Sequence, residues 1–103
     1  MRYEVVLSNQ AEIDLRDIFR YIAFELQSLG NASAQLDRIE TAIKGLDRMP
    51  ERFPQYKKGR WRERNLRVLP VDHYCVFYVF DKTAGRVTVL RIMYSGRNME
   101  KEL

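Results

Sequence analysis

The first third of the chain passes from one hydrophobic periodicity to another. Between Arg2 and Ser8, Tyr3, Val5 and Leu7 alternate with the residues between them, which predicts a strand. After it, apolar residues recur at steps of three and four, the spacing of one helical face. These positions are Ala11, Leu15, Ile18, Ile22, Leu26 and Leu29. A strand followed by an amphipathic helix is therefore expected.

Capping residues divide the helical region into two helices. Ser8 or Asn9 can cap the first helix, and Gly30 suits the left-handed position that would end it. Asn31 can cap a second helix, whose apolar positions continue until Pro50 stops the pattern. Those positions are Ala32, Leu36, Ile39, Ile43 and Leu46. Because each helix is short and the reversal at residues 29–31 is tight, an αα-hairpin packed on a sheet is favoured over a coiled coil.

The last third of the chain is rich in Val, Ile, Leu, Phe and Tyr and predicts three strands. They span Asn65–Val71, His73–Phe80 and Arg86–Tyr94, with a turn at Asp81–Gly85. Pro70 is expected near a strand end or on an edge, because it cannot donate to a ladder. The order β-α-α-β-β-β predicts one α+β domain over residues 1–103, with the helical hairpin on one face of a small, mainly antiparallel twisted sheet. The opposite face is then expected to be free for binding.

Positive charge is concentrated in one stretch of the sequence. Residues 48–67, called the basic segment below, contain eight Lys or Arg residues and two acids and so carry +6, whereas the whole chain carries +4. Tyr56 and Trp61 lie among these charges; nucleic-acid bases stack on such rings, although Trp61 could equally cover the edge of the core. We therefore predict an anionic partner, either an acidic polypeptide or nucleic acid. The candidate binding residues are Lys57, Lys58, Arg60, Trp61, Arg62, Arg64 and Arg91.

The chain has one histidine and one cysteine. His73 follows Asp72, a pairing that can orient an imidazole for acid–base chemistry but that more often reflects local pairing. Cys75 lies on the same strand face as His73; a nucleophilic thiol is one interpretation, and a buried core thiol is the favoured one. So few ligands give no plausible zinc set, and no metal or cofactor is expected. The single thiol and the lack of about 18 consecutive apolar residues predict a soluble protein of the reducing cytoplasm, without a membrane partner.

The order of these elements and three stretches of sequence resemble one protein family. The stretches are AEIDLRDI at residues 11–18, YCVFY at residues 74–78 and VLRIMYSGRN at residues 89–98. Together they resemble the RelE/ParE toxins of bacterial type II toxin–antitoxin systems. The resemblance implies a toxin that is neutralised by a cognate antitoxin, a segment of which wraps it. It also implies one of two mechanisms: RelE-like members cleave mRNA in the ribosomal A site, whereas ParE-like members act on DNA gyrase.

Most residues of the RNA-cleaving branch are missing. The resemblance places that branch's phosphate-stabilising arginine at Cys75, and a neutral thiol cannot replace a guanidinium. It places two lysines at Leu66 and Val68, and a C-terminal tyrosine at about Leu103. Arg97 does match the family's arginine after the last strand, but ParE-like members often keep that residue as well. We therefore predict a ParE-like toxin that acts on gyrase.

Two other functions stay open at this point. One is a ribosome-dependent mRNA endoribonuclease that uses Arg67, Arg97 and either His73 or Tyr94, a phenol where the family often has histidine. The other is a non-toxic protein of the same fold that only binds its partners. Arg67, Arg91 and Arg97 are also candidates for a shared phosphate or carboxylate site beside the free face of the sheet. The competing interpretation is that each arginine pairs with a nearby acid.

Overall fold

The computed structural model describes residues 2–61, 64–96, 101 and 103, and of Arg60 only the backbone. The strands are β1 (Glu4–Leu7), β2 (Arg67–Val71), β3 (Tyr74–Asp81) and β4 (Arg86–Tyr94), and the helices are α1 (Asn9–Arg20) and α2 (Leu29–Lys44). A π-helical turn spans Tyr21–Glu25, and short 3-10 turns span Gly45–Asp47, Pro50–Arg52 and Gly59–Trp61. The strands form one sheet in the order β1-β4-β3-β2, in which β1 runs parallel to β4 and the other neighbours are antiparallel. The predicted α+β architecture is confirmed.

The start of α1 is fixed by one serine. The hydroxyl oxygen of Ser8 accepts the backbone N–H of Ala11 at 3.0 Å, as a helix cap does. The same hydroxyl donates to the carbonyl oxygen of Leu90 at 2.9 Å. Of the two predicted caps, Ser8 is therefore the one used, and it also ties the beginning of α1 to β4.

The first helix ends earlier than its apolar stripe predicts. It stops at Arg20 because a π turn follows, closed by a bond from the N–H of Leu26 to the carbonyl of Tyr21 at 3.1 Å. A π turn contains more residues per turn than an α-helix, so the side chains after it leave the buried face. Leu26 and Leu29 are 58% and 64% exposed. The helical face predicted to run through Leu26 and Leu29 therefore ends before these two residues.

The reversal between the helices uses different residues from those expected. Gln27, with a φ of 54°, takes the left-handed conformation that was predicted for Gly30. Ser28 caps α2 by accepting the N–H of Asn31 at 3.4 Å, so Asn31 is a donor rather than the cap, and Gly30 lies within the first turn of α2. No helix in the described part of the chain is long and apolar enough to cross a membrane.

Both helices pack on one face of the sheet and form what is called the helix-side core. Its buried residues are Tyr3, Ala11, Ile39, Ile43, Leu46, Leu69, Tyr74, Val76, Tyr78, Val87, Val89 and Ile92. The Tyr78 hydroxyl donates to the carbonyl of Pro50, which ties the chain after α2 to the sheet. Burial raises the pKa of Tyr78 to about 12, so this phenol stays a donor at neutral pH.

The opposite face of the sheet is not free, as was expected, but carries a smaller apolar cluster. This second-face cluster consists of the buried residues Leu66, Cys75, Phe77 and Met93. Tyr56 and Trp61 of the basic segment pack against it, because the chain runs beside the outer edge of β2 before folding over the face. The N–H of Tyr56 bonds the carbonyl of Leu66 at 2.7 Å, and the N–H of Val68 bonds the carbonyl of Pro54 at 3.1 Å.

The edge position predicted for Pro70 is confirmed, because it lies in β2, the last strand of the sheet. Residues 54–56 pair with the beginning of β2, but the rest of its outer edge has no paired strand in the described part of the chain. A proline at this point removes one donor from the exposed edge, which hinders pairing with another strand.

Candidate functional site

Arg91 is held at the edge of the sheet where β1 has ended. Leu90 is an extra residue of β4 relative to β3, and a bulge of this kind redirects the side chain that follows it. The Nε and Nη2 atoms of Arg91 lie 2.9 Å and 3.2 Å from the carboxylate oxygens of Asp14, a residue of α1 that is 7% exposed. The same carboxylate accepts the backbone N–H of Ile92 at 2.9 Å. The pair therefore anchors α1 on the open edge of β4.

Arg67 is engaged on the helix side of the sheet. Its Nη1 donates to the carbonyls of Glu51 and Phe53 at 2.9 Å and 2.6 Å, and its Cζ lies 5.5 Å from the centre of the Phe80 ring. The guanidinium thus fastens the first part of the basic segment to β2. Its contacts are those of a structural residue.

The structure describes two of the three arginines proposed for a shared site, and these two do not come together. Arg67 and Arg91 lie on β2 and β4, with β3 between them, and they bind different partners. Arg91 pairs with an acid, as the competing interpretation has it, although with Asp14 of α1. Arg97, the third member, lies outside the described residues.

His73 and Tyr94 lie side by side at the end of the sheet where β3 begins and β4 ends. Both are exposed, and their ring centres are 6.4 Å apart. The Tyr94 ring also meets Tyr74 edge-on at 5.7 Å, and burial raises the pKa of Tyr74. A Cβ atom at Gly96 would lie 2.7 Å from the Tyr94 ring, so a larger residue there would require this ring to shift. Tyr94, one member of this exposed pair, lies three positions before residue 97 in the sequence.

Asp72 bonds to α2 and does not serve to orient His73. Its carboxylate accepts the Nε of Arg38 at 2.7 Å and the amide of Gln35 at 2.9 Å. The hydrogen bond from Arg38, followed by that from Gln35, lowers the pKa of Asp72 below its ordinary value. The carboxylate therefore ties the β2–β3 turn to α2, which gives no support to the less favoured interpretation that Asp72 orients His73 for acid–base chemistry.

The basic segment is fixed to the sheet by its aromatic residues. Tyr56 meets Phe77 edge-on with ring centres 5.3 Å apart, and Trp61 packs on the second-face cluster. The guanidinium of Arg64 lies 5.7 Å from the centre of the Trp61 ring. Exposed cations of this segment include Lys57, Lys58 and Arg64. The cations predicted to meet an anionic partner are thus exposed at Lys57, Lys58 and Arg64 on a supported loop, while Arg62 and the side chain of Arg60 lie outside the described residues.

Cys75 is placed as a core residue. It is 9% exposed in the second-face cluster, and burial raises the pKa of its thiol, so the thiol is protonated at neutral pH. Within residues 2–61, 64–96, 101 and 103, no group of three or more His, Cys, Asp or Glu residues is arranged to hold a metal ion. Nucleophilic and metal chemistry therefore have no support in the described geometry.

Two polar residues that matter to the fold were missed in the sequence. Asp14 and Gln35 are buried at 7% and 8% exposure. Each carried a signal, because Asp14 lies three residues after Ala11 and Gln35 three residues after Ala32, on the apolar stripes of the two helices. A polar residue on such a stripe needs a buried partner. The partner itself could not be identified, because Asp14 and Arg91 are 77 positions apart in the chain.

Comparisons with known proteins agree with this geometry. The family model of the ParE toxin of the type II toxin–antitoxin system parDE matches residues 5–99. A chain from the chromosomal ParDE system of P. aeruginosa superposes with a TM-score of 0.74 at 15% identity, covering 90% of this chain and 96% of that one. No curated protein matches the sequence.

Two RelE-type structures are also similar. A chain of the RelBE toxin–antitoxin complex from Mycobacterium tuberculosis has a TM-score of 0.64 at 19% identity, with 91% and 92% of the two chains covered. A chain of the archaeal RelE–RelB complex from Pyrococcus horikoshii has a TM-score of 0.65 at 17% identity, with 94% and 99% covered. At these identities the structural likeness establishes the fold, whereas the family model spans nearly the whole sequence. This chain therefore belongs to the ParE toxin family of type II toxin–antitoxin systems.

Proposed function

We propose that this toxin arrests growth by acting on DNA gyrase, without covalent chemistry of its own, and that a cognate antitoxin neutralises it. The observation that carries the proposal is the apolar character of the sheet face where RNA-cleaving relatives keep cations. Leu66 and Cys75, which the resemblance aligns with a lysine and an arginine of that branch, both lie in the second-face cluster. A phosphate on this face would meet buried apolar side chains instead of a guanidinium.

The contacts of the two described sheet arginines support the same proposal. Arg67 bonds backbone carbonyls, and Arg91 forms a two-point pair with Asp14. Releasing the Arg91 guanidinium toward a phosphate would leave the buried carboxylate of Asp14 without its charge partner, and releasing that of Arg67 would break its two bonds to backbone carbonyls. Use of either arginine in a nuclease site would therefore cost contacts that hold the fold.

The basic segment supports an acidic segment of the antitoxin as the first partner. The similar structures come from toxin–antitoxin systems, two of them as complexes of toxin with antitoxin. On this chain, Lys57, Lys58 and Arg64 are exposed on a loop held by Tyr56 and Trp61. Such a row of cations raises the rate at which an acidic chain associates.

Expression of the chain without its antitoxin tests the proposed target. Growth arrest is expected together with the DNA-damage response of poisoned gyrase, while mRNA 5′ ends on translating ribosomes stay unchanged. Co-expression of the antitoxin should restore growth. Codon-positioned mRNA cleavage that disappears in Arg97→Ala would contradict the gyrase proposal, and tight antitoxin binding without any arrest would identify a binding module.

One observation favours a second candidate, the ribosome-dependent endoribonuclease. His73 and Tyr94 are exposed side by side, and Gly96 turns the chain against the Tyr94 ring directly before Arg97. An imidazole and a phenol have the functional groups for general acid–base transfer at a phosphate, and Arg97 follows Tyr94 by three positions in the sequence. The double variant His73→Ala/Tyr94→Phe separates the candidates, because it should abolish mRNA cleavage if the toxin is a nuclease and leave gyrase poisoning intact if it is not.

A further inference from the structure

The tip of the helical hairpin buries one isoleucine and two alanines and exposes four large apolar side chains. Ile22, Ala23 and Ala32 form a small buried cluster there. On the outside, Tyr21 and Phe24 are 55% and 67% exposed. With Leu26 and Leu29, they form what is called the tip patch: Tyr21, Phe24, Leu26 and Leu29. Four large apolar residues, each more than half exposed within nine positions, exceed the scattered exposure that is normal on a soluble surface.

The backbone of the tip creates this arrangement. The π turn over Tyr21–Glu25 and the left-handed Gln27 replace the regular helix end and turn the large side chains away from the core. π turns are uncommon, and they often occur at functional sites. A regular α-helix through the same sequence would place Leu26 on the buried stripe. The local backbone therefore exposes apolar area that the sequence periodicity alone would have buried.

Two charges of opposite sign flank the tip patch. Arg20 lies directly before it and Glu25 lies within it, and both are exposed. Neither forms an ion pair with another residue in the described part of the chain. A surface with one cation and one anion beside an apolar centre is neutral overall, so it does not favour the acidic partner that suits the basic segment. It is, however, complementary to a second copy of itself.

We infer that the tip patch is the contact surface of a two-fold symmetric toxin dimer, in which Arg20 of one protomer faces Glu25 of the other. In a two-fold contact every such pair forms twice, and the two apolar centres cover each other. Two aromatic and two leucine side chains per copy, each a little more than half exposed, amount to roughly 1,000 Å² over both copies. That area lies at the lower end for specific interfaces, so the dimer is weak and depends on concentration. The inference does not depend on the cellular target.

Sedimentation velocity of the purified, cell-free-synthesised chain over a concentration series tests the inference. The wild-type chain should pass reversibly from monomer to dimer. Phe24→Asn should raise the dissociation constant at least about tenfold. Met49→Asn is the matched control, because Met49 is similarly exposed but lies outside the tip, and it should dimerise as the wild type does.

Charge reversal provides a second test that does not rely on apolar contact. Arg20→Glu and Glu25→Arg should each dimerise more weakly than the wild type, because each repeats a like-charge contact twice. An equal mixture of the two variants should form a heterodimer more tightly than either forms a homodimer, because both pairs are then opposite in sign. A chain that is monomeric at all concentrations overturns the inference, as does a heterodimer no tighter than the homodimers. Loss of antitoxin binding in Phe24→Asn, with a monomeric wild type, would assign the patch to the antitoxin instead.

Discussion

The two faces of the sheet are covered in different ways. Among the described residues, the helix-side core contains twelve buried residues contributed by the sheet, the helices and the segments next to them. The second-face cluster contains four buried residues and lies beneath part of the basic segment. The helix side is also fastened by polar ties, such as Asp14 to Arg91 and Asp72 to Arg38. Residues from outside the sheet that pack on the second face are Tyr56, Trp61 and Leu103. We infer that the helix side supplies most of the stability and that the second face mainly positions the basic segment.

Breaking the tie between α1 and β4 should have the largest effect. Asp14→Ala leaves the Arg91 guanidinium and the Ile92 N–H without their acceptor in a buried site, which should lower the free energy of unfolding by about 3–5 kcal/mol. Urea unfolding followed by circular dichroism measures the change. Asp17→Ala, an exposed acid of the same helix, is the control and should change stability by less than about 0.5 kcal/mol.

A double variant shows whether the loss comes from the unpaired arginine. Asp14→Ala/Arg91→Ala should be less destabilised than the sum of its two single variants, because no buried charge is left alone. A loss below about 1 kcal/mol in Asp14→Ala would contradict the anchoring role.

Opening the second face should have a smaller and local effect. Trp61→Ala removes a half-buried cover and should cost about 1–3 kcal/mol. Because burial raises the pKa of Cys75, uncovering this thiol should increase its thiolate fraction and speed its alkylation by iodoacetamide at least about tenfold under native conditions. Ile18→Ala, on the helix side, should lose comparable stability without that gain in reactivity. Equal alkylation rates in wild type and Trp61→Ala would mean that Trp61 does not cover the second face.

Reversing one charge on the basic segment should change binding and leave the fold intact. Lys58→Glu should weaken antitoxin association by roughly three- to tenfold at low salt, with a stability change within about 0.5 kcal/mol. Lys82→Glu, an equally exposed lysine in the β3–β4 turn, makes the same change in net charge and should bind as the wild type does. The difference should shrink as salt is added, since exposed charges are screened. An equal loss in both variants would show that only net charge matters.

The tie at Asp72 should give the smallest effect, with a definite dependence on pH. The bonds from Arg38 and Gln35 lower the pKa of Asp72 in the folded state, so its contribution is present above the unfolded pKa and is lost as pH falls through the folded pKa. Asp72→Asn should therefore be slightly less stable than wild type at neutral pH, and the gap should close as pH falls below the ordinary value of 3.8. Asparagine suits the left-handed backbone at this position, with a φ of 55°, and so adds no strain. Thermal unfolding of both proteins from neutral to acid pH measures this difference in stability. A difference that grows in acid would contradict the lowered pKa of Asp72.

The sequence predicted the architecture well because the fold follows from periodicity. The helix-side core contains Ile39 and Ile43, which lie on the stripe predicted for the second helix, and Val76 and Val87, which lie in two of the predicted strands. The end of the first helix was not predicted, because a π turn depends on local packing around Ala23 and Ala32 that the apolar stripe does not reveal.

The candidate site could be predicted only in part. The basic segment follows from local composition, and its cations are where the sequence places them. The roles of Arg67 and Arg91 could not be predicted, because their partners depend on tertiary contacts. The bulge at Leu90 turns Arg91 toward Asp14. The first part of the basic segment brings two backbone carbonyls to Arg67. The cover over the second face was not predicted for a similar reason, since the sequence could not decide whether Trp61 stacks on bases or covers the edge of the core.

The most direct test of the proposed function uses purified components. The toxin is added to DNA gyrase and supercoiled plasmid with ATP, and in parallel to translating ribosomes with a defined mRNA. We predict that cleaved plasmid covalently linked to gyrase accumulates with toxin concentration and disappears when antitoxin is added, while the mRNA stays intact. Codon-positioned cleavage of the mRNA, with gyrase activity unchanged, would contradict the account.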